Sequence, residues 1–126
     1  VYDGKLFVGL VLYWEAAEYL YIEHFCILQA LRNHRYGQRT LDLLAECGKT
    51  LILEIDPPTD EIACRRKAFY ERCGFAENLF SHIHPPYHTE NHGHALAVMT
   101  YPIPIPQEKY NNFYRYLTEK VMKDVF

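Results

Sequence analysis

Leu31-Arg32-Asn33-His34-Arg35-Tyr36-Gly37-Gln38-Arg39-Thr40 is the segment on which the fold of this chain turns. Before it lies Tyr19 to Ile27, dense in Tyr and Ile, which reads as a strand. After it, Leu41, Leu44 and Ala45 share one face of a helix from Thr40 to Cys47, with Gly48 placed as its C-cap. The apolar period therefore changes from 2 to 3.6 across a single short basic stretch. A strand that feeds a helix through a tight loop leaves several backbone N–H groups without partners, at the positive end of the helix dipole. Arg32, Arg35 and Arg39 add full charges there. The physical expectation is a bound phosphate or pyrophosphate; a solvated basic loop is the plainer alternative.

Working outward, Asp3-Gly4 signals a hairpin, and Leu6 to Trp14 is an almost continuous apolar run rich in strand formers. Thr50 to Ile55 is a short buried strand closed by Pro57-Pro58. Thr59 or Asp60 can cap a helix that runs to about Cys73 and stops at Gly74. Phe75 to His84 and His94 to Tyr101 read as a closing strand pair, separated by a loop rich in His and Pro. Pro102, Pro104 and Pro106 break the chain before a final amphipathic helix over roughly Gln107 to Val125. The order is β-β-β-α-β-α-β-β-α, and its strand–helix–strand unit implies at least one parallel pair. The fold class is mixed α/β, one sheet with helices on its faces.

With 126 residues, 49% of them hydrophobic and 15% aromatic, the chain suits one domain, 1–126, and excludes disorder. A net charge of −3 leaves no nucleic-acid footprint. No apolar run approaches a membrane span, and no signal peptide opens the chain. Cys26, Cys47, Cys64 and Cys73 form no CxxC pair, so reduced, buried thiols in a cytoplasmic protein are expected. The chain begins without Met in what reads as mid-strand, the pattern of a fragment or of a chain trimmed at its N-terminus.

Two motifs together carry a family resemblance. Arg32-Asn33-His34-Arg35-Tyr36-Gly37 matches the first and last positions of the Gln/Arg-x-x-Gly-x-Gly/Ala signature of GCN5-related N-acetyltransferases. It departs at the middle position, where Arg35 stands for Gly; glycine tolerates positive φ and close backbone approach, whereas arginine does so with difficulty. About 35 residues on, Tyr70-Glu71-Arg72-Cys73-Gly74-Phe75 matches the family's Tyr-x-x-x-Gly-Phe element, after a strand as the family requires. The resemblance covers roughly residues 2 to 101. It implies the acyl-CoA N-acyltransferase fold, a mostly antiparallel mixed sheet with helices on both faces. It also implies acetyl-CoA as co-substrate and direct acetyl transfer to a primary amine in a ternary complex. The family's N-terminal strand and two helices, one wall of the acceptor site, have no counterpart here, so the domain reads as N-terminally incomplete, and a second chain, as in a homodimer, could supply that wall.

The resemblance places coenzyme A on Arg32, Asn33, His34, Arg35, Tyr36, Gly37, Gln38 and Arg39, with the backbone near Phe25, Cys26 and Ile27 holding the pantetheine arm. An alkyl ammonium, of pKa near 10, must lose a proton before it attacks, and a leaving thiolate benefits from a donor. Glu23 is a charge inside an apolar strand, placed by alternation on the face of Tyr21, Phe25 and Ile27. It reads as the base or as one half of a cross-strand ion pair. Tyr70 sits where the family has its general acid, or is a core aromatic. Cys26 between Phe25 and Ile27 reads as packing rather than as a covalent nucleophile.

His82, His84, His88, His92 and His94 crowd one segment. Paired strands could bring several imidazoles together for zinc or nickel, but apart from Glu90 no Cys or carboxylate completes a familiar ligand spacing. A loop lining the acceptor pocket, or a surface hairpin, is the plainer expectation. Besides the transferase reading, a non-catalytic acyl-CoA-binding domain remains the principal alternative.

Overall fold

The computed structural model describes residues 1–84 and 94–121. Its elements are β1 (Tyr2–Asp3), β2 (Leu6–Phe7), β3 (Gly9–Glu15), β4 (Tyr19–Ile27), a 3-10 turn (Gln29–Leu31), α1 (Tyr36–Ala45), β5 (Thr50–Ile55), α2 (Glu61–Arg72), β6 (Ala76–His84), β7 (His94–Tyr101) and α3 (Gln107–Tyr116). α3 continues as a single π-helical turn, Leu117–Val121. The anticipated order stands, with one refinement. The run from Leu6 to Trp14 is two strands, because Val8 is buried between them and its N–H bonds the carbonyl of Val1.

β1 and β2 form a small hairpin; the other five strands make one sheet in the order β3-β4-β5-β7-β6. Among the described strands only β4 and β5, joined through α1, run parallel; the remaining neighbours are antiparallel. One face of the sheet buries Leu20, Ile22, Leu51, Leu53, Ile55 and Met99 under α1 and α2, which contribute Leu41, Tyr70 and Cys73. The opposite face buries Tyr21, Ile52 and Val98 under α3, through Tyr110, Phe113 and Leu117. Helices thus cover both faces, as a strand with buried residues on alternating sides demands.

Local chemistry sets the helix ends. Asp60 caps α2, its carboxylate accepting from the Ala63 N–H at 2.7 Å. Gly74 ends that helix at φ 94°, where a side chain would be strained. α3 is held in place by a buried polar clamp. Asn78 Nδ2 donates to Thr100 Oγ1 at 2.8 Å, its Oδ1 accepts the Ile105 N–H at 2.8 Å, and Thr100 Oγ1 donates to the Ile103 carbonyl at 2.6 Å. These bonds fix the proline-rich turn against β6 and β7, and so set where α3 begins.

Three expectations need correction. α1 starts at Tyr36, four residues before Thr40, so Tyr36 to Arg39 are its first turn rather than loop. Cys26, Cys47 and Cys64 are free but exposed, and only Cys73 is buried. The face assignment around Glu23 also fails, because β4 does not alternate cleanly. Leu12 pairs with His24 and Tyr13 with Ile22, which leaves Glu23 as the extra residue of a bulge. Beyond it the parity flips: Phe25 packs with Leu20 and Ile22, on the face opposite Tyr21. The loop of 85–93, including His88 and His92, and the last five residues, 122–126, lie outside the described residues.

Candidate active site

The parallel pair comes apart in the middle of the sheet. β5 pairs with β4 from Tyr19↔Thr50 to Ile22↔Leu53 and no further. Yet β4 continues to Ile27 alongside β3, and β5 continues to Ile55 alongside β7. The two strands therefore diverge beyond that last rung. Phe25, Cys26 and Ile27 lie on the diverging part of β4, with Phe25 half-buried, Cys26 exposed and Ile27 buried.

At the far end of β4 the chain turns through Gln29–Leu31 into the basic segment. Arg32 Nε donates to the Ile27 carbonyl at 3.3 Å, which ties the segment back to the strand. Asn33 and Arg35 both sit in the left-handed region, at φ 71° and 63°. Arg35 is the N-cap of α1 and offers no side-chain cap. The first amide bonded into the helix is that of Arg39, to the Arg35 carbonyl at 3.0 Å. The amides of Tyr36, Gly37 and Gln38 thus point out of the helix start, as an anion site requires. The departure from the family signature is chemical rather than conformational: Arg35 takes the left-handed geometry that glycine would take more easily.

Gly37 is needed for packing. A Cβ there would lie 2.9 Å from Cζ of Phe69 and 3.8 Å from Cε1 of Phe25, so the helix start rests directly on α2 and the diverging strand. The charges of the segment are unequally engaged. Arg39 leans over the Tyr36 ring at 5.4 Å and meets Asp3 at 4.0 Å, while the Tyr36 hydroxyl donates to Asp3 at 2.8 Å. That bond is the main cause of a raised Tyr36 pKa. His34 and Gln38 are exposed. The Arg35 guanidinium has no ion pair among the described residues, which leaves it available to a phosphate.

On the α1/α2 face of the divergence stands Tyr70. It is buried, edge-on to Phe69 at 5.2 Å and to Phe75 at 5.6 Å, within the cluster that Phe25 also joins. Burial pushes its pKa up to about 12, opposed in part by Arg66. On the α3 face stands a group that sequence reasoning missed. Glu54, one residue past the last β4–β5 rung, accepts a hydrogen bond from the Tyr21 hydroxyl. Its other oxygen meets Nε2 of His82 at 2.5 Å, and His82 Nδ1 meets the Tyr110 hydroxyl at 2.7 Å. The side chains of His82 and Glu54 are 0% and 6% exposed. Glu54 gave the same signal as Glu23, a charge inside an apolar strand; the long-range pairing with His82 is what the sequence hid. Glu23 itself is half-buried at the bulge, accepting from Trp14 Nε1 at 3.2 Å.

Of the histidine cluster, only His82 has a described side chain, and both its ring nitrogens are engaged, so it is closed to a metal. Among the described residues no group of His, Cys, Asp and Glu could hold one. Nor is any described helix long and apolar enough to cross a membrane.

A diverging parallel pair beside an uncapped helix start is the arrangement that the resemblance to acyl-CoA N-acyltransferases implies. A structure from Bacteroides thetaiotaomicron assigned to the GNAT acetyltransferases is 32% identical to this chain. It covers 97% of this chain and 70% of its own, with a TM-score of 0.88. The chain therefore belongs to the GCN5-related N-acetyltransferase family. An aminoglycoside 6'-N-acetyltransferase complexed with coenzyme A shares the fold at 15% identity, over 85% of this chain and 73% of that one, with a TM-score of 0.57. A Bacillus subtilis acetyltransferase in complex with CoA does so at 11% identity, over 79% and 71%, with a TM-score of 0.56. No family model matches the sequence, and no curated protein matches it.

Proposed function

We propose that the chain transfers the acetyl group of acetyl-CoA directly to a primary amine of a small molecule or peptide, in a ternary complex. The observation that carries this reading is the divergence of β4 from β5, with Tyr70 on one face and Glu54 on the other. The amides of Tyr36, Gly37 and Gln38, with Arg32 and Arg35, take the pyrophosphate, and Asn33, His34 and Arg39 border it. The strand segment from Phe25 to Ile27 lies along the pantetheine arm. Acetyl-CoA supplies the activated thioester, and coenzyme A leaves as the thiolate.

The chain's own part is to place donors and acceptors. Glu23, half-exposed at the bulge, draws the ammonium to the mouth of the divergence. Glu54 takes the proton that the amine must lose. Tyr70 donates a hydrogen bond to the departing sulfur. With its pKa near 12 and a thiol near 8.5, full transfer of the phenolic proton would be uphill by roughly 4–5 kcal/mol. Stabilisation of the thiolate by that donor, rather than complete protonation, is the role the burial favours. Three exposed free thiols accord with a reducing compartment, which supports a cytoplasmic setting.

The test is a panel of primary amines incubated with acetyl-CoA and the purified protein, with acetylated product read by mass spectrometry. Product that depends on both the amine and the protein supports the reading. Coenzyme A binding with no product from any amine would instead make this an acyl-CoA-binding domain.

A further inference from the structure

Tyr110, His82 and Glu54 form one buried chain of hydrogen bonds across α3, β6 and β5. With Glu54 as the acceptor that the proposed function makes it, the proton of this bond lies on His82 Nε2, which donates it to the carboxylate. In the neutral ring Nδ1 is then a lone pair, and the partner facing it is the Tyr110 hydroxyl. Burial, and to a lesser degree Tyr114 and Glu54, push the Tyr110 pKa up to about 12, so the hydroxyl keeps its proton and can donate it. The ring of His82 is fully enclosed: Tyr110 and Tyr114 stand edge-on to it at 5.7 Å each, and Phe113 lies against it at 6.3 Å. Tyr21 from β4 and Tyr114 from α3 also face this chain, the latter engaged with the Ile83 carbonyl at 2.9 Å.

We infer that His82 and Tyr110 are positioning residues for Glu54: Tyr110 holds the neutral His82 ring with Nε2–H aimed at the carboxylate, which fixes Glu54 beside the divergence of β4 and β5. This deepens the proposed function and rests on it. Neither residue needs to touch the amine. A ring without the Tyr110 hydroxyl would carry a buried, unpartnered Nδ1, and would escape by rotating or by taking a second proton. Either change loosens its grip on Glu54. The clamp of Asn78 on Ile105 and of Thr100 on Ile103 serves the same end, because it sets the start of α3 and therefore the height of Tyr110.

The experiment combines a spectroscopic signature with a double-mutant cycle. In the unaltered protein, 15N shifts of His82 should show a protonated Nε2 and an unprotonated Nδ1; an Nδ1–H tautomer or an imidazolium overturns the inference. Tyr110→Phe should disturb that pattern and lower kcat on the order of tenfold or more, as misdirected tautomers do in other enzymes, with the KM for acetyl-CoA unchanged. His82→Phe keeps a ring among rings, and in that background Tyr110→Phe should have no further effect. An equal loss in both backgrounds would make Tyr110 a packing residue and overturn the inference. His82→Gln, which retains an N–H donor, should recover part of the activity lost in His82→Phe; no recovery counts against it. If the unaltered protein acetylates no amine while the 15N pattern is as described, it is the proposed function that fails, and the catalytic role with it.

Discussion

Arg35→Gly should stabilise the protein and weaken coenzyme A binding at once. Arg35 sits at φ 63°, ψ 15°, a left-handed conformation that costs a residue with a Cβ about 1–2 kcal/mol. Glycine removes that cost but gains freedom in the unfolded chain, an offset of about 0.5–1 kcal/mol. The net gain is roughly 0.5–1 kcal/mol, or about 2–5 °C in Tm for a domain of this size. The same substitution deletes the one arginine of the segment with neither an ion pair nor a backbone bond among the described residues. A charge-assisted bond to phosphate contributes about 1.5–3 kcal/mol, so the Kd for coenzyme A should rise on the order of tenfold or more. Arg35→Ala separates the two effects, since it loses the charge and keeps the strain: affinity falls equally and Tm does not rise. Thermal melts and titration calorimetry read both quantities. Tighter coenzyme A binding by the glycine variant would mean that Arg35 obstructs the segment, and would refute the reasoning.

Tyr70→Phe removes only a hydroxyl, and with it the hydrogen bond to the charge developing on sulfur; kcat should fall roughly 10- to 1000-fold at unchanged acetyl-CoA affinity. Full kcat, with chemistry limiting, would make Tyr70 a core aromatic. Because burial raises the Tyr70 pKa from 10.0 to about 12, the folded state holds its proton where the unfolded state has lost it. Its contribution is therefore complete below pH 10 and lost between pH 10 and 12, on the order of 2–3 kcal/mol. Urea midpoints should fall across that window, and less steeply in Tyr70→Phe. Asn78→Leu should cost about 2–4 kcal/mol by urea denaturation, because it strands the Ile105 N–H in the interior.

The elements were legible in the sequence because their signals are local. The period change between Ile27 and Leu41, the Asp60 cap and the Gly74 stop each need only a few neighbouring residues, and the structure has them all. The start of α1 was misplaced because Tyr36 and Gly37 are weak helix formers, and packing on Phe69 overrides that preference. The bulge at Glu23 was invisible for a different reason. A strand read alone alternates, and only pairing with β3 reveals the extra residue that turns Phe25 to the other face. Glu54 and His82 are 28 residues apart, and each looks ordinary by itself. Their meeting depends on β7 lying between β5 and β6, a matter of strand order that no local pattern carries.

The central claim is that coenzyme A lies between the diverging strands with its pyrophosphate on the start of α1. Amide shift mapping of the 15N-labelled protein during titration with coenzyme A tests it residue by residue. The account predicts that the amides of Tyr36, Gly37 and Gln38 and those of Phe25 to Ile27 move together, with one shared Kd, while those of β1 and β2 stay still. Saturable shifts confined to other parts of the chain, or none at all at millimolar coenzyme A, would contradict it.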